Sequence, residues 1–191
     1  PSYGFKLAVE LLQEIEGYAD YDKLLDGLKK MDGIVKKACK EIVPYAIKYA
    51  WEFKDDSVIY TMGSGASWGS AHQESICIFM EMQWINSSVI HSGEYFHGPF
   101  EITDKNTAFL MMKSTGRTRP LDDRALTFMK KFNDRCMILD GLDYGMGELG
   151  DVSEYLDPFF HTNVVRVFNN LLADVRNHPL SVRRYMWKFD Y

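Results

Sequence analysis

Apolar residues recur three or four positions apart through the opening segment FKLAVELLQEI, at Phe5, Leu7, Ala8, Leu11, Leu12 and Ile15, and this spacing predicts a helix. Helical patterning continues over residues 20–54, through DYDKLLDGLKKM and then Ile34, Val35, Ala38, Cys39, Ile42 and Val43, with Pro44 expected to kink or restart it. At Val58 the period changes. Val58–Met62 is a short β-rich run followed by a glycine turn and about twenty residues of helical pattern, which is half of a βαβ unit. Short apolar runs return at Ser88–Ile90, Ala108–Met112 and Cys136–Leu139, with a helical segment, Leu121–Phe132, between the last two. A final helix, roughly Tyr155–Arg176, is stopped by Asn177-His178-Pro179. Strand and helix alternate, so the expected core is α/β on a parallel sheet.

Composition adds limits. A chain of 191 residues with 46% hydrophobic content and 14% aromatics has ample material for the core of one ordinary domain. No apolar run approaches the ~18–20 residues of a membrane span, and PSYGFKLAVELL lacks the basic-then-apolar order of a signal peptide, so a soluble, cytoplasmic protein without membrane association is expected. Cys39, Cys77 and Cys136 are scattered and form no CxxC pair, which suggests neither a disulfide framework nor a zinc site; mostly buried, reduced thiols are expected, with no metal. A net charge of −5 and basic pairs as short as Lys29-Lys30 and Arg183-Arg184 offer nucleic acid no patch. The chain opens on Pro1, without methionine, in a helix that has no preceding partner, and a segment of a longer protein is therefore expected.

Three places carry candidate chemistry. The turn after the first strand, GSGASWG, has Trp68 where a dinucleotide fingerprint needs its third glycine, and no Walker lysine follows. It is either a tight strand-to-helix turn at Gly63 and Gly65, or a turn whose amides, Ser64 and Ser67 face a polar small molecule. On the helix that follows, Glu74 and Glu81 lie seven residues apart, on about the same face at α-helical spacing, among Ile76, Cys77, Ile78, Phe79 and Met80. An ion pair is the ordinary reason for such a carboxylate, but His97 follows Glu81 by sixteen residues in GEYFHGPFE, on a turn held between glycine and proline. A carboxylate and an imidazole in one cleft can divide proton transfers between carbon and oxygen.

The run GSGASWGSAHQESICIFMEMQW through INSSVIHSGEYFHGPFE resembles the second sugar isomerase (SIS) domain of two-SIS-domain phosphosugar enzymes, a group that includes the isomerase half of glucosamine-6-phosphate synthase. The wording of MEMQWINS, GEYFHGPFE, GRTRPLDDRAL and the terminal RRYMWKFDY is similar to the fructosamine-6-phosphate deglycases, which act on phosphorylated Amadori compounds; the likeness runs from about Val58 to Tyr191. It implies a three-layer αβα sandwich with a parallel sheet, preceded by N-terminal helices. Residues 1–54 would be the end of a missing N-terminal SIS domain plus a linker, and residues 55–191 the C-terminal SIS domain. By the same resemblance Glu81 shuttles a proton between C1 and C2, and His97 assists sugar ring opening across a subunit interface of a homo-oligomer. No cofactor is implied, and the substrate is a phosphosugar whose phosphate is held chiefly by the N-terminal domain.

The synthases carry a Schiff-base lysine in a Leu-Ala-Lys-Ser stretch near the C-terminus, whereas the comparable stretch here is LSVRRY, with Val182 in the lysine's place. Ser181 and Val182 are thus candidate substrate-binding positions, and the lost lysine favours deglycation, since a fructosamine already carries nitrogen at C1. Arg183, Tyr185 and Trp187 are expected to anchor the tail, with a pocket wall as the alternative; Arg117 and Arg119 are expected to be structural or solvated, with contact to the substrate phosphate as the alternative. Two other readings remain, a non-catalytic phosphosugar-binding module and a ketose–aldose isomerase.

Overall fold

In a computed structural model, which describes residues 2–190, three helices come first: α1 (Ser2–Ile15), α2 (Tyr21–Glu41) and α3 (Val43–Phe53). Pro44 stands in the first turn of α3, where its missing N–H breaks no bond, so it restarts the helix. The remainder alternates as the pattern predicts: β1 (Val58–Gly63), α4 (Gly65–Gln73), a π-helix (Glu74–Met82), β2 (Asn86–His91), two 3₁₀ turns, β3 (Ala108–Lys113), α5 (Arg119–Phe132), β4 (Cys136–Asp140), two further 3₁₀ segments and α6 (Ser153–Val175).

The four strands form one parallel sheet in the order β2-β1-β3-β4. Alternate strand residues serve opposite faces. Ile59, Ala108, Leu110, Met112, Met137 and Leu139 join α2, α3, α4 and α6 in the larger cluster, where Phe53 and Phe79 both meet Phe168 edge-on. Met62, Phe109 and Met111 face the other way, against Tyr95 and the Ala125, Leu126 and Met129 stripe of α5. This is the expected three-layer sandwich. Two ties fasten α3 and the loop after it to the sheet: Tyr49 donates to the Cys136 carbonyl at 2.9 Å, and Arg135 donates to the Glu52 carbonyl at 2.5 Å and forks onto Asp56 at 2.9 and 2.6 Å. No helix among the described residues is long and apolar enough to cross a membrane. The three cysteines are free but only partly buried, less enclosed than their sequence context suggests.

Candidate functional site

Open α/β sheets commonly place ligands beyond the carboxyl ends of their strands, where strand order reverses. Here that crevice, between β1 and β3, is filled from within. Gly65 adopts φ +53°, and a Cβ there would stand 2.5 Å from Thr118 Oγ1, so the glycine lets the two loops touch. Ser64 donates to the Thr118 carbonyl at 3.2 Å. Ser67 donates to Asp157 Oδ2 at 3.2 Å and lies 3.1 Å from His161 Nε2. Both serines are fully buried, so the glycine turn is a tight strand-to-helix connection.

The Ser67, His161 and Asp157 grouping has the residue types of a hydrolytic triad but not its proton logic. His161 Nε2 also lies 3.1 Å from the Lys113 carbonyl, which can only accept, so that nitrogen carries the proton and cannot take one from Ser67. Burial lowers the His161 pKa to about 4, which keeps the ring neutral. Asp157 is pushed up to about 6 by burial, against the opposing hydrogen bonds of Thr115. Asp122 accepts from Ser92 Oγ at 2.5 Å and from the Ser114 N–H at 2.8 Å. Burial works against the Asp140 carboxylate, but Arg119 and Lys113 outweigh it and hold its pKa below the usual range. Arg119 is therefore structural, and Arg117 is an exposed partner of Glu154, at 2.8 Å. Asp122, Asp140 and Asp157 are thus all taken up by partners within the protein.

The candidate site lies elsewhere, where the crossover helix changes its winding. From Glu74 the hydrogen bonds lengthen, as in Gln83 N–H to the Ile78 carbonyl at 2.9 Å, five residues back. Such π segments are rare and concentrate at functional positions. They also overturn the expectation that Glu74 and Glu81 share a face: seven residues make nearly two α turns, but only about one and a half turns at the roughly 4.4 residues of a π turn. Glu74 points inward and accepts from Asn169 Nδ2 at 3.1 Å. Glu81 points outward to a cavity of about 490 Å³, where its Oε1 meets Arg183 Nη2 at 2.9 Å. Among the described residues its other oxygen has no hydrogen-bond partner.

One side of the cavity is Met80, Glu81, Trp84 and Asn86, and the C-terminal tail closes the other with Arg183, Arg184, Tyr185 and Met186. A clasp behind the cavity fixes the tail's path. Gln83 donates to the His178 carbonyl at 2.7 Å, and Arg176 to the carbonyls of Lys54, at 2.5 Å, and Gln83, at 3.3 Å. Trp84 sits at φ +55°, a costly conformation for a bulky residue, with its ring edge-on to His178 at 4.6 Å and the Arg184 guanidinium 4.3 Å from its centroid. Arg183 and Tyr185 thus form pocket wall as well as tail. Ser181 is exposed and Val182 half-buried, on a turn in which the Val182 N–H bonds the Pro179 carbonyl at 3.0 Å. Neither is among the residues lining the Glu81 cavity; the four residues after them are.

His97 closes a 3₁₀ turn, Tyr95–His97, anchored by the buried Tyr95, and its side chain is exposed. Gly98, at φ +138°, turns the chain so that Pro99 can open the next 3₁₀ segment. This turn packs in the cluster on the α5 face, whereas the helix of Glu81 packs toward α6 on the other. Within one chain the sheet's edge strand, β2, stands between the two.

Glu74 permits a test of this geometry that is independent of activity. Burial pushes its pKa up to about 8, although Asn169 and Arg166 pull it down. A carboxyl raised on folding holds its proton longer in the folded state, so stability declines as pH climbs from the unfolded pKa toward the folded one. Glu74→Gln should therefore stabilise by about 1–3 kcal/mol at pH 7 and hardly at all near pH 4, read from urea midpoints. A pH-independent difference would refute the buried neutral acid.

No family model matches the chain. It is 43% identical over its whole length to the fructosamine deglycase FrlB of Bacillus subtilis, of which it covers 59%. Over 95% of its length it is 25% identical to the fructoselysine 6-phosphate deglycase of Escherichia coli O157:H7, covering 52% of that protein. A solved structure described as a phosphosugar isomerase from Salmonella typhimurium LT2 superposes with a TM-score of 0.94 at 50% identity, over 97% of this chain and 57% of that one. The chain thus spans between half and three fifths of the relatives it matches.

Proposed function

For a chain homologous along its whole length to the fructosamine deglycases and folded as a phosphosugar isomerase domain, we propose the same activity: cleavage of a fructosamine 6-phosphate to glucose 6-phosphate and a free amine. The observation that carries this reading is the carboxylate of Glu81, fixed at the end of a π-helix in the cavity mouth and oriented by Arg183.

The substrate is a 1-amino-1-deoxy-ketose, closed into a ring until an acid/base group opens it. His97 suits that step, since imidazole exchanges protons near neutrality. Glu81 then removes a proton from C1 as O2 takes one up, giving the enaminol. Return of a proton to C2, with loss of the nitrogen's proton, leaves a C1 imine. Water adds at C1, the C–N bond breaks, and glucose 6-phosphate and the amine depart. Arg183 holds the Glu81 carboxylate in one orientation through the contact at 2.9 Å.

The opposed placement of Glu81 and His97 on the sheet supports a homo-oligomer in which the histidine of one copy serves the glutamate of another. That the chain spans only 59% of the FrlB length supports a phosphate grip outside residues 55–191, in an N-terminal SIS domain. No cofactor takes part in this chemistry, and the compartment it fits is the cytoplasm. The test is release of glucose 6-phosphate from fructosamine 6-phosphates, followed by a coupled dehydrogenase, with the full-length protein that carries this chain. Ketose–aldose exchange of fructose 6-phosphate without amine release would replace the deglycase reading by the isomerase one.

A further inference from the structure

We infer that Arg184, stacked on Trp84 at the rim of the Glu81 cavity, recognises a carboxylate carried by the amine portion of the substrate, so that this site selects adducts of amino acids over adducts of simple amines. The inference rests on the deglycase reading and deepens it.

The rim holds two guanidiniums, and their situations differ. Arg183 is mostly buried, pairs with Glu81 at 2.9 Å, and donates to the carbonyls of Leu180 and Val182 at 2.7 and 2.8 Å. Its Nε is buried without a partner. Arg184 is exposed, and among the described residues no carboxylate lies within ion-pair distance of it. Its guanidinium carbon lies 4.3 Å from the centroid of the Trp84 ring and 6.0 Å from that of Tyr185. Stacking of this kind fixes the plane of the guanidinium while leaving its N–H fork open to a planar anion. Glu81 offsets one of the two cations, and the cavity keeps a positive charge that nothing within it balances.

The chemistry of the substrate says which anion this is. Proton removal by Glu81 at C1 puts C1 and its nitrogen beside the glutamate, while the phosphate sits at the far end of the sugar on C6. Groups that crowd Glu81 therefore meet the amine side first. A cavity of about 490 Å³ has room there for an amino-acid side chain beyond the sugar. Trp84 keeps a left-handed backbone to hold its ring between His178 and Arg184, the kind of strain that persists at binding sites.

The experiment compares fructoselysine 6-phosphate with the adduct of 1,5-diaminopentane, which differs only in lacking the carboxylate, in wild-type full-length protein and in Arg184→Gln and Arg184→Lys. The wild type should favour the lysine adduct in kcat/KM by ~10-fold or more, through KM, as expected of one charge-assisted pair at a partly exposed site. Arg184→Gln should bring that ratio close to one, and Arg184→Lys should recover part of it. An unchanged ratio in Arg184→Gln, or an equal fall for both substrates, would overturn the inference, the second outcome assigning Arg184 to the phosphate or to the tail's fold. Amine release from both adducts with no effect of Arg184 on the ratio would leave the deglycase reading standing and this one refuted; release from neither by the wild type overturns both.

Discussion

Glu81→Gln in the full-length protein should lower turnover ~10²- to 10⁴-fold, the range for loss of a general acid/base, with the melting temperature nearly unchanged. Glutamine keeps the length of the side chain, and its carbonyl can still accept from Arg183, so the tail stays docked and only proton abstraction at C1 is lost. The effect should lie in kcat. Solvent deuterium should also cease to enter C1 and C2 of recovered substrate and product, as followed by NMR. Wild-type exchange in this variant would remove Glu81 from the mechanism.

His97→Asn should be nearly as damaging for substrate that enters as a ring, by ~10²-fold or more, while sparing exchange at C1 for the open-chain fraction. The side chain is exposed and makes no hydrogen bond among the described residues, so its loss should cost little stability. The decisive measurement is complementation. If each site combines Glu81 of one copy with His97 of another, co-refolding the two inactive variants in equal amounts assembles mixed dimers in which one site is intact, and about a quarter of wild-type activity should return. If both residues act within one chain, no mixture recovers anything, and the intersubunit arrangement is wrong.

Much of the fold is legible in the sequence. β1, β3 and β4 fall within a residue of the apolar runs that mark them, because a parallel strand is buried on both faces and leaves an apolar imprint. β2 is longer than its imprint, since Asn86 and Ser87 at its start are polar and lie outside the core. The 3₁₀ segments left no periodic trace. The π-helix was invisible for a deeper reason: its sequence, ESICIFMEM, is apolar nearly all round, so a change of winding alters no pattern, and the phase between Glu74 and Glu81 had to be read at the wrong angle. Arg184 escaped as a site residue because its partner, Trp84, is a hundred positions away. Register with the synthase lysine points to Ser181 and Val182, and the cavity beside Glu81 is lined by the four residues that follow them, Arg183 through Met186. Asp157, His161 and Asn169 lie on the buried side of α6 and, as letters, look like ordinary polar positions.

The strand order carries a consequence for how the chain reaches this state. With four parallel strands the sheet contains no hairpin, and each pairing must close a loop of many residues before it gains anything. β1 must wait for β3 some fifty positions later, and the tie from Tyr49 to Cys136 spans 87. Topologies of this kind fold slowly, and until α5 and α6 arrive the fully apolar stretch AFLMM lies open to other chains. The vulnerable moment for this protein is therefore its synthesis, and a chaperone that shelters residues 108–112 should raise the yield of native protein more than any substitution that stabilises the finished sandwich.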